Sequence, residues 1–537
     1  MASIIKADLI FINGNVITMN ELSPEANAIA VKNGSVLYVG ETEDVLTLKG
    51  EQTEVVDLQG KTIMPGFVES HTHTTGYGNN LLQVDCRPAQ TPSIDDILAK
   101  VKDAVEATPE GEWIRGWGWD DSRLAEKRNP TRWDLDKVAP NHPVFLKRTC
   151  GHVAVGNSKA LEISGITKDT PDPDGGHIQL DKETGEPTGI LQELAQGLVS
   201  LPKLTKEDVA RGLKLAQKDY AKWGITTLHD MSTQKIDMEV FQMLKEQNEL
   251  TVRVRPWIWA MAQRDRAGLL DEMITLGLHS NLGGDMVKIQ GMKFMLDGSV
   301  GGRTAATAEP YEDDDSKGIL YYDKEHVAPY MKRALEAGLR VAIHGIGERA
   351  IDVALESFKE AHQAVDISKM RNRIEHCGLP TEDHLKTMKE LNMIAASSIG
   401  FIYHLGDSYI RNLGPERMKR VYPQKTFKEY GIVAPGNSDL PVTDGNPWLG
   451  IYAAVNRKTV SGQVTDTVQN ISVYDAIKAY TVDAAYSSFE EDTLGIIKEN
   501  AKADLMIVSD NPFEIDTEAL KDITVEATYL GGKKVHG

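Results

Sequence analysis

The chain reads as an α/β protein: a distorted (β/α)8 barrel, a small β-sandwich domain formed from both chain termini, and a long insertion after the first barrel strand. Three observations predict this. Apolar strand-like runs alternate with helical stretches between residues 63 and 489, and such alternation builds a parallel sheet covered on both faces. Short strands with tight turns occur at both ends of the chain, where no single pair can bury a face alone. The first two barrel strands are separated by far more chain than one crossover helix needs.

The elements follow in order. Residues 7–17 read as a strand, an Asn-Gly turn and a second strand, and 28–40 repeat the theme. At the other end, 503–509 and 525–536 read as strands, the second broken at Gly531-Gly532. Segments 1–62 and 490–537 are therefore assigned to one composite β domain, and 63–489 to the barrel. Its eight strands are expected near 64–71, 225–230, 252–258, 287–296, 340–344, 372–376, 392–397 and 432–439. Helices are expected at 326–337, 350–362 and 382–391, and after the last strand at 473–486. The insertion subdomain, about 74–222, carries Trp113, Trp117, Trp119 and Trp133.

The 537 residues carry a formal net charge of −20, with 41% hydrophobic and 26% charged residues, ordinary for a globular protein. An acidic surface repels phosphate backbones and anionic lipids, so no nucleic-acid and no membrane partner is expected; the surplus acid equally serves solubility. No apolar run approaches the ~20 residues of a membrane span. Cys86, Cys150 and Cys377 form no CxxC pair, and the N-terminus shows no signal-peptide pattern, so a reducing, cytoplasmic setting is expected. The expected partner is a small-molecule substrate, and a homo-oligomer is left open.

The strongest local signal is His71-Thr72-His73 at the end of the first barrel strand. Side chains two apart on a strand face the same side, so both imidazoles reach one point. His344, His376 and Asp439 each close a further apolar run ahead of a turn. In a barrel, strand C-termini converge on one mouth, where chemistry is done. Imidazole is the commonest neutral metal ligand, so the set reads as a metal site, although any one histidine could equally be a core residue. Lys293 lies inside an apolar strand, where an unpaired lysine is costly. It either reacts with CO₂ to give a carbamate able to bridge two metals, or snorkels to the mouth or pairs with Asp297.

The order HxH, Lys, His, His, Asp on successive strands resembles the amidohydrolase superfamily in its binuclear form. The segment Thr62-Ile-Met-Pro-Gly-Phe-Val-Glu-Ser-His71-Thr-His73 is similar to that superfamily's opening signature. The likeness is closer to its amidohydrolase-3 branch, which includes N-substituted formamide deformylase. It is carried by Lys293-Phe-Met-Leu-Asp-Gly-Ser-Val-Gly-Gly-Arg303, His344-Gly-Ile-Gly-Glu348, Ile374-Glu-His376-Cys and Ser438-Asp-Leu-Pro-Val, and in the insertion by Gly116-Trp-Gly-Trp-Asp, Gly151-His152, Asn157-Ser and Gly189-Ile-Leu-Gln-Glu193. Two departures stand near the expected pocket: Glu348 where the branch usually has Asp, and Ala395-Ala-Ser-Ser-Ile-Gly where many relatives carry Gln-Pro.

The resemblance implies a TIM-type barrel plus β-sandwich and one or two divalent metal ions, most often zinc, held by His71, His73, carboxylated Lys293, His344, His376 and Asp439. It points to hydrolysis of a non-peptide amide C–N bond, of N-formyl or N-acyl amine type, by metal-activated hydroxide. Asp439 is the expected proton relay and His376 the other expected catalytic residue, while the metal, with or without a histidine, polarises the carbonyl. His152, Arg303, Trp119 and Glu193 are the candidate substrate contacts; an exposed histidine, a glycine turn and core packing of the tryptophan are the bland readings. A zinc-dependent deaminase, suggested by the His344/Glu348 spacing, and a non-catalytic scaffold are the alternatives.

Overall fold

The computed structural model describes residues 5–88, 90–121, 123–148, 152–263 and 266–537. They divide into two compact units, one of Met1–Thr74 with Gln217–Gly537 and one of Thr75–Ala216.

The first unit holds seven parallel barrel strands, in spatial and chain order Phe67–Thr72, Ile225–Thr233, Arg253–Trp259, Gly291–Met295, Val341–Gly345, Arg373–His376 and Ile394–Ser397. The strands are almost entirely buried, because helices cover the outer face and polar side chains fill the inside. The outer core sets Val327, Met331, Ile351, Leu355, Phe358, Leu385 and Met388, from helices Lys324–Glu336, Glu348–His362 and Glu382–Glu390, beside Phe294, Ile343 and Ile374 of the strands.

The eighth expected strand, 432–439, forms as an irregular stave and not as a regular strand. Ala395 and Ser397 donate to the carbonyls of Val433 and Pro435, and on the other side Asp439 N–H donates to the His71 carbonyl and His73 N–H to Leu440. Pro435 has no N–H to give, and Asp439 sits at φ 53°, so a continuous ladder cannot run through the segment. The expected helix 473–486 is likewise divided, into Val473–Ala479 and Val482–Tyr486, at a non-helical Thr481. Helices Gly400–Met418 and Pro447–Asn456 were not expected; Gly400, Gly406 and Gly414-Pro415 mask the first.

The terminal strands make a four-stranded and a six-stranded sheet. Leu9, Phe11, Ile29 and Val31 of the one share a core with Val16, Ile63, Leu505 and Tyr529 of the other. Two Asn-Gly steps behave differently. Asn33 and Gly34 both take positive φ and close a hairpin between Ala28–Lys32 and Ser35–Gly40. After Asn13 the chain instead changes sheets, Leu9–Ile12 lying in one and Asn15–Ile17 in the other.

The second unit is built on a six-stranded mixed sheet, ordered Gly176–Leu180, Pro187–Glu193, Val153–Gly156, Val144–Arg148, Ile114–Trp119, Val84–Asp85. Helix Ile94–Ala107, opened by a Ser93/Asp96 capping box, buries Ile97 and Val101 in one cluster with Ile114, Trp119 and Leu146. Cys86 and Cys377 are buried free thiols, and Cys150 lies outside the described residues. Among the described residues no helix is long and apolar enough to cross a membrane.

Candidate metal centre

Three of the expected ligands, His71, His376 and Asp439, each offer a ligand atom within 4.8 Å of the others, and all three are buried. Hydrogen bonds fix where each proton sits. His71 Nδ1 faces a carboxylate, Glu375 Oε2, at 2.5 Å, so Nδ1 carries the proton and Nε2 a lone pair. His73 Nδ1 faces the Met231 carbonyl at 2.9 Å, with the same result. His376 Nδ1 lies 2.7 Å from Ser398 Oγ, whose own proton goes to Asn437 Oδ1 at 2.8 Å, so this ring too donates through Nδ1. Asn437 is oriented by its amide donating to the Ala396 carbonyl.

Acceptors therefore face one another. Asp439 Oδ1 stands 3.3 Å from His71 Nε2 and 3.1 Å from His73 Nε2. His71 Nε2 and Asp439 Oδ1 are buried without a hydrogen-bond partner. Buried lone pairs of this kind are costly unless an electrophile sits among them. A divalent cation that prefers nitrogen and carboxylate ligands fits this donor set.

His344 and Lys293 are placed differently. The His344 ring lies 4.4 Å from the His376 ring, but its Nε2 donates to the Gly298 carbonyl at 3.0 Å, leaving Nδ1 as its lone pair. Lys293 is buried on the fourth strand, and burial pulls its pKa down to about 8 although Glu375 and Asp439 work the other way. It does not use Asp297, whose carboxylate accepts from the N–H groups of Ile346, Gly347 and Ala306. Burial, reinforced by the Lys293 charge, lowers the His71 pKa; burial and His344 lower that of His376, so both rings are neutral.

Two carboxylates of the centre escaped the sequence reading. Glu69, on the His71 strand, accepts from His71 N–H at 3.0 Å and from Ser438 Oγ at 2.9 Å, tying the strand of one ligand to the stave of another. Burial raises its pKa to about 8. Glu375 binds His71 and is itself clamped by Arg373. Burial alone would raise Glu375, but the Arg373 guanidinium and His71 bring it down to about 2. The available signal was a carboxylate inside an apolar barrel strand, which has to be paired.

The remaining candidates separate. Trp119, expected to contact substrate, is fully buried in the core of the second unit, with its indole N–H on Asn129 Oδ1 at 3.1 Å. It packs there with Ile97, Ile114 and Leu146. His152 and Glu193 are exposed in that unit and pair at 2.9 Å; the neighbouring Gly151 lies outside the described residues. Arg303 binds Asn412 through Nε and Asp314 through Nη1. Glu348 is buried and engaged by Arg420 at 2.6 Å and by Ala308 N–H.

Comparison with known proteins agrees with the geometry. The chain is 31% identical over 547 residues to Protein LONG AFTER FAR-RED 3 of Arabidopsis thaliana, covering 99% of this chain and 92% of that one. It is 27% identical over 544 residues to the N-substituted formamide deformylase of Arthrobacter pascens, covering 98% and 97%. A crystal structure of an uncharacterized metal-dependent hydrolase from Pyrococcus furiosus superposes with a TM-score of 0.78 at 30% identity, covering 94% of this chain and 100% of that one. Residues 54–536 match the model of the amidohydrolase family, and the chain belongs to that family.

Proposed function

We propose that this protein hydrolyses a non-peptide amide C–N bond, of N-formyl or N-acyl amine type, with one or two divalent cations, zinc first among them, held by His71, His73, Lys293, His344, His376 and Asp439. The observation that carries this reading is the convergence of the buried His71 Nε2 and Asp439 Oδ1 with the half-buried His73 Nε2, all three turned on one another as acceptors. A cation in that position supplies Lewis-acid polarisation of a carbonyl and draws the pKa of water down towards ~7. Asp439 accepts the proton of the attacking water and passes it to the departing nitrogen. His376 presents its Nε2 lone pair from a ring fixed by Ser398 and Asn437. The lowered pKa of Lys293 leaves a share of neutral amine, the form that takes up CO₂.

On the substrate side we assign His152 and Glu193, whose pair is reached from solvent. Arg303, spent on Asn412 and Asp314, shapes its own loop. Glu348, spent on Arg420, lends no support to deamination. We further assign 1–62 and 490–537 to one β-sandwich domain and 63–489 to the barrel, on the strength of the shared core of the terminal sheets.

The test is metal quantification on the purified protein beside a screen of N-formyl and N-acyl amines. Bound cation with formate or carboxylate release supports the proposal. Ammonia release from a ring substrate would replace it with deamination, and a metal-free protein inert towards the whole panel would end it.

A further inference from the structure

The three histidines around Asp439 are held by three different kinds of partner: a carboxylate for His71, a peptide carbonyl for His73, and a hydroxyl relayed to an amide for His376. We infer that Glu375, clamped by Arg373, is a positioning residue of the cation site: it holds His71 in the tautomer that turns Nε2 on Asp439, and its charge makes that nitrogen the strongest donor of the three. The inference rests on the cation-site reading above and deepens it.

A carboxylate accepting from one imidazole nitrogen fixes the ring and raises the basicity of the other. Hydrogen bonds to ionised acceptors are also stronger than neutral ones. Of the three partners only Glu375 brings a charge, and its contact with His71 is the shortest, at 2.5 Å.

Glu375 is not free to turn away. Arg373 Nε donates to Oε1 at 2.7 Å and Nη2 to Oε2 at 2.8 Å. The two residues are two apart on one strand and so share a face. Arg373 Nη2 also donates to the carbonyl of Ser70, the residue before His71, at 2.8 Å. Its Nη1 lies 3.1 Å from His229 Nδ1, which also accepts the Trp257 indole N–H at 3.2 Å. Those two donors force the His229 proton onto Nε2 and keep the ring neutral. One guanidinium thus steadies both the carboxylate that grips His71 and the backbone that carries it. All of these groups are buried.

A purely structural ion pair has no need of the histidine. Arg253 with Asp504 and Arg255 with Glu490 are bidentate pairs whose arginines stand on the third barrel strand, and among the described residues neither carboxylate has a hydrogen bond to a histidine. Of these three carboxylates, Glu375 is the one that shares its Oε2 between an arginine and an imidazole.

The test measures Zn²⁺ affinity of the full chain by chelator competition, in wild type, E375Q and the double variant R373M/E375L. The double variant removes both charges, so no buried ion is left unpaired and its melting temperature stays nearer wild type than that of E375Q. Both variants are expected to lose about 10–100-fold in Zn²⁺ affinity. A double variant that binds Zn²⁺ as wild type does would show that the pair only stabilises the barrel, and would overturn the inference. A second readout uses metal-free protein: the downfield imidazole proton of His71, identified by its absence in H71N, is expected to vanish in E375Q, and its persistence there would also overturn the inference. Wild type that takes up no Zn²⁺ would overturn the cation site and this inference with it.

Discussion

Two histidine–glutamate pairs stand out among the described residues, and their surroundings could hardly differ more. His71 and Glu375 meet at 2.5 Å with side chains 1% and 0% exposed. His152 and Glu193 meet at 2.9 Å with side chains 67% and 57% exposed. The chemistry of the two contacts is the same. In the barrel, water cannot replace either partner, so the carboxylate dictates the tautomer of the ring and aims its far nitrogen. In the insertion, water competes for both groups, so the contact fixes neither ring nor carboxylate as firmly. A contact therefore acquires a chemical consequence from what it excludes as much as from what it joins.

The largest effect that would sharpen this contrast belongs to Asp439, onto which the buried pair aims. D439N is expected to cut turnover by about 10²–10⁴-fold, the usual range for loss of general acid–base help, in a protein that remains folded by circular dichroism. Activity at the wild-type level would remove Asp439 as proton relay. Next comes Trp119, from the same insertion as the exposed pair but inside its core. W119A is expected to lower unfolding free energy by about 3–5 kcal/mol in urea titration; a loss below ~1 kcal/mol would mean the indole is not the packing element its burial implies.

A smaller effect is the acid limb of stability. The folded pKa of Glu375, about 2, lies below its ordinary 4.5. Its stabilisation is complete above the ordinary value and is lost as pH falls through the folded one. E375Q is therefore expected to show a shallower fall in melting temperature than wild type between pH 4.5 and pH 2. Parallel curves would show that the carboxylate is not held ionised by Arg373 and His71. The smallest stability effect is that of H152A, under ~1 kcal/mol, as for exposed pairs in general. If His152 faces substrate, the same variant raises KM with kcat unchanged; identical kinetics would leave the exposed pair without a task.

The barrel and most of the candidate ligand positions were legible because each stands at the close of an apolar run, where periodicity and position give the same answer. His71, His344, His376 and Asp439 could all be picked out in this way. Their partners could not. Ser398 and Asn437, which orient His376, lie 22 and 61 positions beyond it in the chain, and neither residue type stands out in a turn. Arg373 and Glu375 were visible as charges in a buried strand, but nothing local says that their partner is His71, some 300 residues away. Trp119 was left between two readings because tryptophan serves cores and pockets equally well, and its burial favours the core. The last barrel stave was taken for a regular strand because its apolar content is strand-like, while Pro435 and the left-handed Asp439 interrupt its ladder.

That interrupted stave has a thermodynamic corollary. The seam of the barrel is sewn by few backbone bonds, among them Asp439 N–H to the His71 carbonyl, and the same two residues turn their side chains on one another. Whatever grips both side chains also clasps the first stave to the last. Its binding energy is then added to folding by RT ln(1 + [L]/Kd), so a chelator would be felt as a loosening of the whole cylinder and a rising zinc concentration as a rising melting temperature.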